Sequence, residues 1–178
     1  MIIRLATVSD AEQLTELAAT TMREAFGPPY NPAELVEEYV QSAITLPLLE
    51  TELADSRSTF FLASLPNGTP IGYAKLRRAT PPRRMPEPYR RASNAIEIQR
   101  IYILQAYIGQ GQGRQLMEYC LDWARKQGYG AVWLGVWDRN QRALAFYEKM
   151  GFTRFGYHYF QFGSERQRDF WLQKQLIA

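Results

Sequence analysis

The sequence predicts an α/β fold of the α+β kind, with helices flanking a mixed, mostly antiparallel sheet of seven strands. Apolar residues alternate in some segments and recur every three or four residues in others, which indicates strands and helices respectively. Their order is a strand, two or three helices, three strands, a helix, a strand, a helix and two strands. With 178 residues and 46% hydrophobic content the chain can fill one core, so we expect a single domain over residues 1–178.

The part of the chain before residue 58 predicts a strand followed by helices. Residues 2–6 alternate loosely, and Ser9 and Asp10 then provide the capping groups of a helix N-terminus. Helices are predicted over residues 10–26, 33–44 and 48–55. Four glutamates lie in the second and third of these segments: Glu37, Glu38, Glu50 and Glu52. We interpret them as a solvated helix face, with attraction of an amine as the alternative.

Three strands are predicted next, and the third contains an irregularity. The runs 56–65 and 69–79 are separated by Asn67-Gly68, which is a strong hairpin signal. In the run 94–104, Ile96 and Ile98 share one face whereas Ile101 and Ile103 share the other. A β-bulge near Arg100 would place both pairs on the same side of the sheet.

A glycine run connects the third strand to a helix. Gly109, Gly111 and Gly113 occupy alternate positions, and apolar residues at helical spacing follow. Backbone N–H groups at such a turn and the positive end of the helix dipole together favour a pyrophosphate, although a tight turn without a ligand is the alternative. The spacing is neither GxxxxGK[ST] nor GxGxxG, which excludes these two phosphate-binding motifs.

The last third of the chain predicts a buried strand, a short helix and a closing hairpin. Residues 131–137 form the strand, Asn140 begins the helix, and Gly151 ends it. The runs 152–163 and 166–177 then predict two antiparallel strands.

Composition narrows the classes of function. Cys120 is the one cysteine and His158 the one histidine, so we expect neither a disulfide nor a metal site, and we expect core packing for Cys120 and a structural role for His158. No apolar run is long enough for a membrane span and no leader is recognisable, so we expect a cytoplasmic protein.

Residues 77–91 hold six arginines within a loop. We expect a solvated loop, or a local anion or substrate-entry contact, and not a nucleic-acid site.

Two segments resemble the GCN5-related N-acetyltransferase (GNAT) family. Residues 108–113 match its R/Q-x-x-G-x-G/A loop except at Ile108, where the family carries Arg or Gln, and LGVWDRNQRALAFYEKMGF resembles its second cofactor segment. The resemblance implies the GNAT fold and acetyl-CoA as co-substrate, without a metal. It also implies that Asn140 binds the pantetheine arm and that Tyr147 gives a proton to the leaving thiolate. The main chain of the third strand would bind the acetyl group and the pantetheine. The residues implied to bind acetyl-CoA are Ile101, Tyr102, Ile103, Gly109, Gln110, Gly111, Gln112, Gly113, Arg114, Asn140, Tyr147 and Lys149.

The acceptor side of the reaction is less well defined by the sequence. Glu97 lies on the third strand and is our candidate general base, with an ion-paired structural residue as the alternative. Gln99 shares its face and occupies the position of the acid in some family members, but an amide cannot take the proton. We expect direct acetyl transfer to a small primary amine. The late segments look most like PaiA-type enzymes that act on spermidine and spermine. An acetyl-CoA-binding sensor, a nucleic-acid-binding module and an N-terminal acetyltransferase are the alternatives, and a homodimer is left open.

Overall fold

The computed structural model describes residues 1–91 and 94–176 of the chain. It contains seven strands and five helices in the predicted order. The strands are β1 (Ile2–Leu5), β2 (Ser58–Ser64), β3 (Pro70–Arg77), β4 (Ala95–Ile103), β5 (Ala131–Trp137), β6 (Thr153–Phe162) and β7 (Glu165–Gln175). The helices are α1 (Ala11–Phe26), α2 (Ala33–Ala43), α3 (Leu46–Ala54), α4 (Gln112–Lys126) and α5 (Gln141–Lys149), and short 3-10 turns precede α1 and α4. The predicted end of the last strand at residue 177 lies outside the described residues.

The seven strands form one sheet in the order β1-β2-β3-β4-β5-β7-β6. Neighbouring strands are antiparallel except β4 and β5, which are parallel. This parallel pair is in register only over residues 95–97 and 131–133. Beyond these residues the two strands diverge, and we call the resulting space the β4–β5 opening.

Helices cover both faces of the sheet. α4 and α5 pack on one face, where Cys120 is buried together with Leu116 and Met117, as the helical spacing predicts. α1, α2 and α3 cover the other face around Leu14 and Leu49, which are fully buried. Each face of the sheet therefore has its own apolar core.

The arginine-rich loop is packed more closely than the sequence predicts. Met85 within it is fully buried against Ala95, Ala131 and Trp133, beside the area that α1–α3 cover. Arg84 lies over the ring of Tyr157 at 5.6 Å. The arginines from Arg78 to Arg91 are exposed, as expected of a solvated loop, but one apolar side chain among them attaches the loop to the sheet.

The bulge in β4 is confirmed. Lys75 pairs with Arg100 and Leu76 pairs with Ile98, so Gln99 is the extra residue in β4. Ile96, Ile98, Ile101 and Ile103 all contact the core under α4, which the change of parity required. The bulge also directs Arg100 and Tyr102 to the opposite face, towards α1–α3.

Candidate active site

A cavity of about 500 Å³ occupies the β4–β5 opening. Its walls come from β4 after the bulge, the end of β5, the glycine turn, α5, the C-terminal half of α1, and strands β6 and β7. Among the predicted site residues, the cavity is lined by Ile101, Tyr102, Ile103, Gly109, Gly111, Gly113, Arg114, Asn140 and Tyr147. The fold therefore brings two segments that are distant in sequence to one place.

The β4 backbone offers hydrogen-bonding groups to this cavity. Leu104 N donates to Ile71 O at 2.8 Å, so residue 104 directs its backbone groups towards β3. Because alternate residues of an antiparallel strand face the same neighbour, Tyr102 also faces β3, whereas Ile101 and Ile103 face the β4–β5 opening. Of the three residues predicted to make main-chain contacts, Ile101 and Ile103 direct their backbone groups to the opening. Tyr102 lines the cavity with its side chain instead.

The glycine turn is formed as the sequence predicts. Gly109 and Gly111 have φ angles of 84° and 85°, a left-handed conformation in which a side chain would be strained. No atom lies within 4 Å of the position of an added Cβ on either glycine, so the space beside the turn is open. Gly111 caps α4, and the first N–H groups of a helix have no intrahelical partner. The turn and the helix end together form an open site with backbone donors.

Helix α5 contributes Asn140 and Tyr147 to the cavity. Asn140 Oδ1 accepts a hydrogen bond from Ala143 N at 3.1 Å and so caps the helix, which leaves its amide N–H groups for a ligand. Tyr147 is 8% exposed and lines the cavity. Burial raises the pKa of Tyr147 above its usual range, so this phenol keeps its proton at neutral pH.

Four of the predicted residues lie apart from the cavity walls. Gln110 donates its side-chain amide to Ala106 O at 2.9 Å, and neither Gln110 nor Gln112 is a lining residue, so we expect backbone contacts alone from them. Lys149 is exposed at the C-terminal end of α5. Glu97 is 7% exposed and accepts two hydrogen bonds from Arg77, at 2.9 and 2.7 Å. This arrangement matches the ion-paired alternative for Glu97, and its role as a base stays a prediction.

Aromatic rings and acidic groups also line the cavity. Phe26, Tyr39, Trp137, Phe160 and Phe162 supply the rings. Glu24 and Asp169 supply carboxylates, and Glu24 accepts a hydrogen bond from Gln105 N at 2.8 Å. Gln99 also lines the cavity, with a buried Oε1 that has no partner within the described part of the chain.

A cluster of ion pairs lies beside the bulge, on the face of the sheet that α1–α3 cover. Glu52 on α3 accepts hydrogen bonds from both terminal nitrogens of Arg100, at 2.6 and 3.0 Å, and lies 2.7 Å from Lys75 Nζ. The Lys75 side chain is 3% exposed, and burial lowers its pKa to about 8. Desolvation opposes ionisation of Glu52, yet Arg100 and Lys75 together hold its pKa below the usual value. The cluster fixes Arg100 at the cavity wall.

Sequence reasoning missed Asp169, Glu24 and Arg142 as lining residues. Arg142 is on the first turn of α5, within the segment that resembles the second cofactor motif, so the motif itself contained the signal. Asp169 alternates with the partly buried Trp171 on β7, and the sequence of this strand alone does not distinguish it from a solvent-facing acid. Nowhere in the described ranges do three His, Cys, Asp or Glu side chains form a group able to hold a metal. None of the helices found there is long and apolar enough to cross a membrane.

Comparisons with known proteins agree with this geometry. The chain is 31% identical over 168 residues to an uncharacterized N-acetyltransferase of Lactobacillus delbrueckii subsp. lactis, covering 94% of this chain and 93% of that protein. It is 36% identical over 107 residues to the N-alpha-acetyltransferase RimI of Mycobacterium tuberculosis, covering 59% of this chain and 58% of RimI. The crystal structure of PaiA N-acetyltransferase from Thermoplasma acidophilum in complex with coenzyme A has the same fold. It superposes with a TM-score of 0.72 at 21% identity, covering 98% of this chain and 99% of that one.

The family model for the acetyltransferase (GNAT) family matches residues 13–152. That match includes the bulged strand, the glycine turn and the Tyr147 helix. The chain therefore belongs to the acetyltransferase (GNAT) family and is an acetyl-CoA-dependent N-acetyltransferase.

Proposed function

We propose that this protein transfers an acetyl group from acetyl-CoA directly to a small primary amine, with Tyr147 as the general acid. One observation carries the proposal: the glycine turn, the β4 segment with Ile101 and Ile103, and Tyr147 all line the same cavity. Each of these groups would bind a different part of acetyl-CoA: the glycine turn the pyrophosphate, the β4 backbone the thioester carbonyl, and Tyr147 the sulfur.

The residues present fit acetyl-CoA. The turn at Gly109 and Gly111 leaves open space beside unpaired helix N–H groups, which suits a pyrophosphate. Arg114 and Arg142 line the same end and add positive charge. The β4–β5 opening is the elongated part of the cavity, where Ile101, Ile103 and Asn140 would bind the pantetheine arm by its amides. Gln110, Gln112 and Lys149 belong to the proposed binding set at its periphery.

Acetyl-CoA supplies a reactive thioester, and the protein provides donors at its two heteroatoms. An N–H of Ile101 or Ile103 would donate to the carbonyl oxygen, where negative charge develops during attack. The Tyr147 hydroxyl would donate its proton to the departing sulfur. The phenol holds its proton at neutral pH, and burial raises its pKa further. No covalent link to the protein is required.

A cationic acceptor fits the part of the cavity that the aromatic rings and acidic groups line. Carboxylates of Glu24 and Asp169 attract an ammonium group, and the aromatic rings bind alkyl chains and cations. The arginine-rich loop supplies none of the lining residues, so its charge does not oppose a polyamine there. We therefore propose a polyamine such as spermidine or spermine as the acceptor. A protein N-terminus is the second candidate, since the chain is 36% identical over 107 residues to an N-alpha-acetyltransferase.

The test is release of free thiol from acetyl-CoA across spermidine, spermine, amino acids, aminoglycosides and short peptides. Wild type should release thiol with at least one amine, and Tyr147→Phe should lower kcat by about 10²-fold or more. Tyr119→Phe is the matched control, because Tyr119 is on α4, packs against Phe61 and does not line the cavity. Acetyl-CoA binding, measured by calorimetry, should be equal in all three proteins.

The outcomes separate the alternatives. Binding of acetyl-CoA without thiol release, and indifference to Tyr147→Phe, would favour a sensor. Turnover with peptides but not polyamines would favour an N-terminal acetyltransferase. If acetyl-CoA does not bind, the assignment of the glycine turn is wrong.

A further inference from the structure

Asp169 occupies a distinctive position at the acceptor end of the cavity. It is on β7, opposite Trp137 of β5 and His158 of β6, and its side chain is 20% exposed. Asp169 Oδ2 lies 3.7 Å from His158 Nε2, and the imidazole stacks on the Trp171 ring at 3.8 Å. Burial, with a contribution from nearby Asp138, raises the pKa of Asp169 to about 6. This carboxylate is thus mostly ionised at pH 7 while remaining able to accept a proton.

We infer that Asp169 is the general base that takes the proton of the acceptor ammonium group, and that His158 conducts this proton to solvent. The inference rests on the proposed function and deepens it. In this inference Asp169 takes the role of general base that the sequence analysis gave to Glu97, whose carboxylate is already bound by Arg77. Asp169 is a catalytic residue in this scheme, because it touches the acceptor, whereas His158 acts through Asp169.

The charged groups around Asp169 support this role. Arg168, which precedes Asp169 on β7, donates to Asp138 Oδ2 at 2.8 Å and so is not a partner of Asp169. Burial lowers the pKa of His158, so the imidazole is mostly neutral at pH 7 and can receive a proton. The titratable or charged residues that line the same cavity from other elements are Glu24 on α1, Tyr39 on α2, Arg100 and Tyr102 on β4, Arg114 on α4, and Arg142 and Tyr147 on α5. Arg100 is bound by Glu52, which leaves the ammonium of the acceptor as the natural counter-ion of Asp169.

Two features of the neighbouring strands keep room for an amine beside Asp169. At Gly135 on β5, an added Cβ would lie 3.1 Å from the Trp171 ring, 3.5 Å from His158 Nε2 and 3.6 Å from Asp169 Oδ2. A side chain there would fill the approach to the carboxylate. Gln99 lines the same cavity from β4, and its Oε1 is buried without a partner in the described part of the chain. If this side chain turns towards the cavity, Oε1 would accept a second N–H of the ammonium group, so that one amine nitrogen would find a base and an orienting acceptor.

The proton and electron movements balance in this scheme. The R–NH₃⁺ group gives one proton to the Asp169 carboxylate, and its nitrogen lone pair then forms the C–N bond at the thioester carbon. The C–S bond breaks, and the sulfur takes the Tyr147 proton. The nitrogen, now part of an amide, loses a second proton, which restores the Tyr147 phenol. The first proton leaves Asp169 through His158, so the net reaction releases one proton.

The pH dependence of kcat/KM tests the inference, with spermidine or whichever amine of the panel reacts fastest. Wild type should give a bell, falling below about pH 6 as Asp169 becomes protonated and falling again above the pKa of the amine. In Asp169→Asn, kcat/KM at pH 7 should fall by about 10²-fold or more, and the acidic limb at pH 6 should be replaced by a continuous rise with the free amine. Asp169→Glu should retain the limb, and Asp122→Asn, on the exposed face of α4, should match wild type.

Glu97→Gln is the competing arm of the same experiment. If it removes the acidic limb while Asp169→Asn keeps it, Glu97 is the base and the inference is overturned. A limb that survives in Asp169→Asn overturns it as well, and so does loss of the limb in a folded Asp169→Glu protein. Absence of thiol release by wild type with every amine would instead refute the proposed function.

Discussion

Replacing Asp169 with Asn should stabilise the protein while it disables the reaction. The Asn side chain keeps the size and shape of the Asp side chain but carries no charge. Among the described residues, Asp169 has no bound cation to offset its burial, since Arg168 binds Asp138 and Arg100 binds Glu52. Folding must therefore desolvate an uncompensated carboxylate at neutral pH, and the substitution removes this cost.

The size of the effect follows from the pKa of Asp169. It rises from an ordinary value of 3.8 to about 6. Because one pKa unit corresponds to about 1.4 kcal/mol, ionised Asp169 lowers the free energy of unfolding by roughly 3 kcal/mol at pH 7. The side chain keeps 20% of its exposure, and solvent screens part of the cost. We expect the Asn variant to gain about 1–3 kcal/mol.

The pH dependence of this gain has a defined sign. A carboxyl group whose pKa is higher in the folded protein favours folding in its protonated form. Its contribution is fully present below the unfolded pKa of 3.8 and is lost as the pH rises through about 6. The stability difference between Asp169→Asn and wild type should thus be small near pH 4 and should reach its full value by pH 7.

Urea unfolding of both proteins at several pH values measures this difference. Asp122→Asn is the matched control, because Asp122 is 63% exposed and should change stability by no more than about 0.5 kcal/mol. A less stable Asp169→Asn protein at pH 7 would mean that the carboxylate has a stabilising partner. A gain that does not vary between pH 4 and 7 would show that ionisation of Asp169 is not its cause.

Two further predictions concern the glycine turn and the ion cluster. Gly111→Ala and Gly68→Ala both place a side chain at positive φ, 85° and 90°, and each should cost about 1–2 kcal/mol of stability in thermal unfolding. Calorimetry should show weaker acetyl-CoA binding for Gly111→Ala alone. Equal losses of acetyl-CoA affinity in the two variants would contradict the assigned site. Glu52→Gln leaves both Lys75 and Arg100 without the carboxylate that they share and should cost about 3–5 kcal/mol in urea unfolding at pH 7. The part of this loss due to Lys75 should disappear as the pH rises to about 8, where Lys75 gives up its proton in wild type as well, and the part due to Arg100 should remain. A loss that stays constant up to this pH would exclude the charge of Lys75 as a cause.

Features encoded locally were predictable from the sequence. The parity change between Ile98 and Ile101 required a bulge, and the structure has it at Gln99. The glycine spacing predicted a turn with left-handed residues, which Gly109 and Gly111 supply. These predictions succeeded because one short segment contains all the residues that determine each feature.

Features that depend on sheet order were not predictable in this way. Arg77 and Glu97 are 20 positions apart, and their ion pair exists because β3 and β4 are neighbours across the arginine-rich loop. Asp169 reaches the cavity because β7 inserts between β5 and β6, against the order of the chain. A lone acid in an alternating strand resembles a solvent-facing residue until the neighbours of that strand are known.

The β4–β5 opening also governs which molecules can reach its hydrogen-bonding groups. Unpaired N–H and C=O groups on the outer edge of a sheet attract any extended polypeptide and promote aggregation. The groups of Ile101 and Ile103 instead lie within the sheet, between strands that remain joined at residues 95–97 and 131–133. An invading polypeptide strand needs a spacing of about 4.8 Å to each neighbour and room for its side chains, whereas a thin unbranched chain needs neither. The β4–β5 opening thus admits a narrow chain and excludes a polypeptide strand before any specific contact forms.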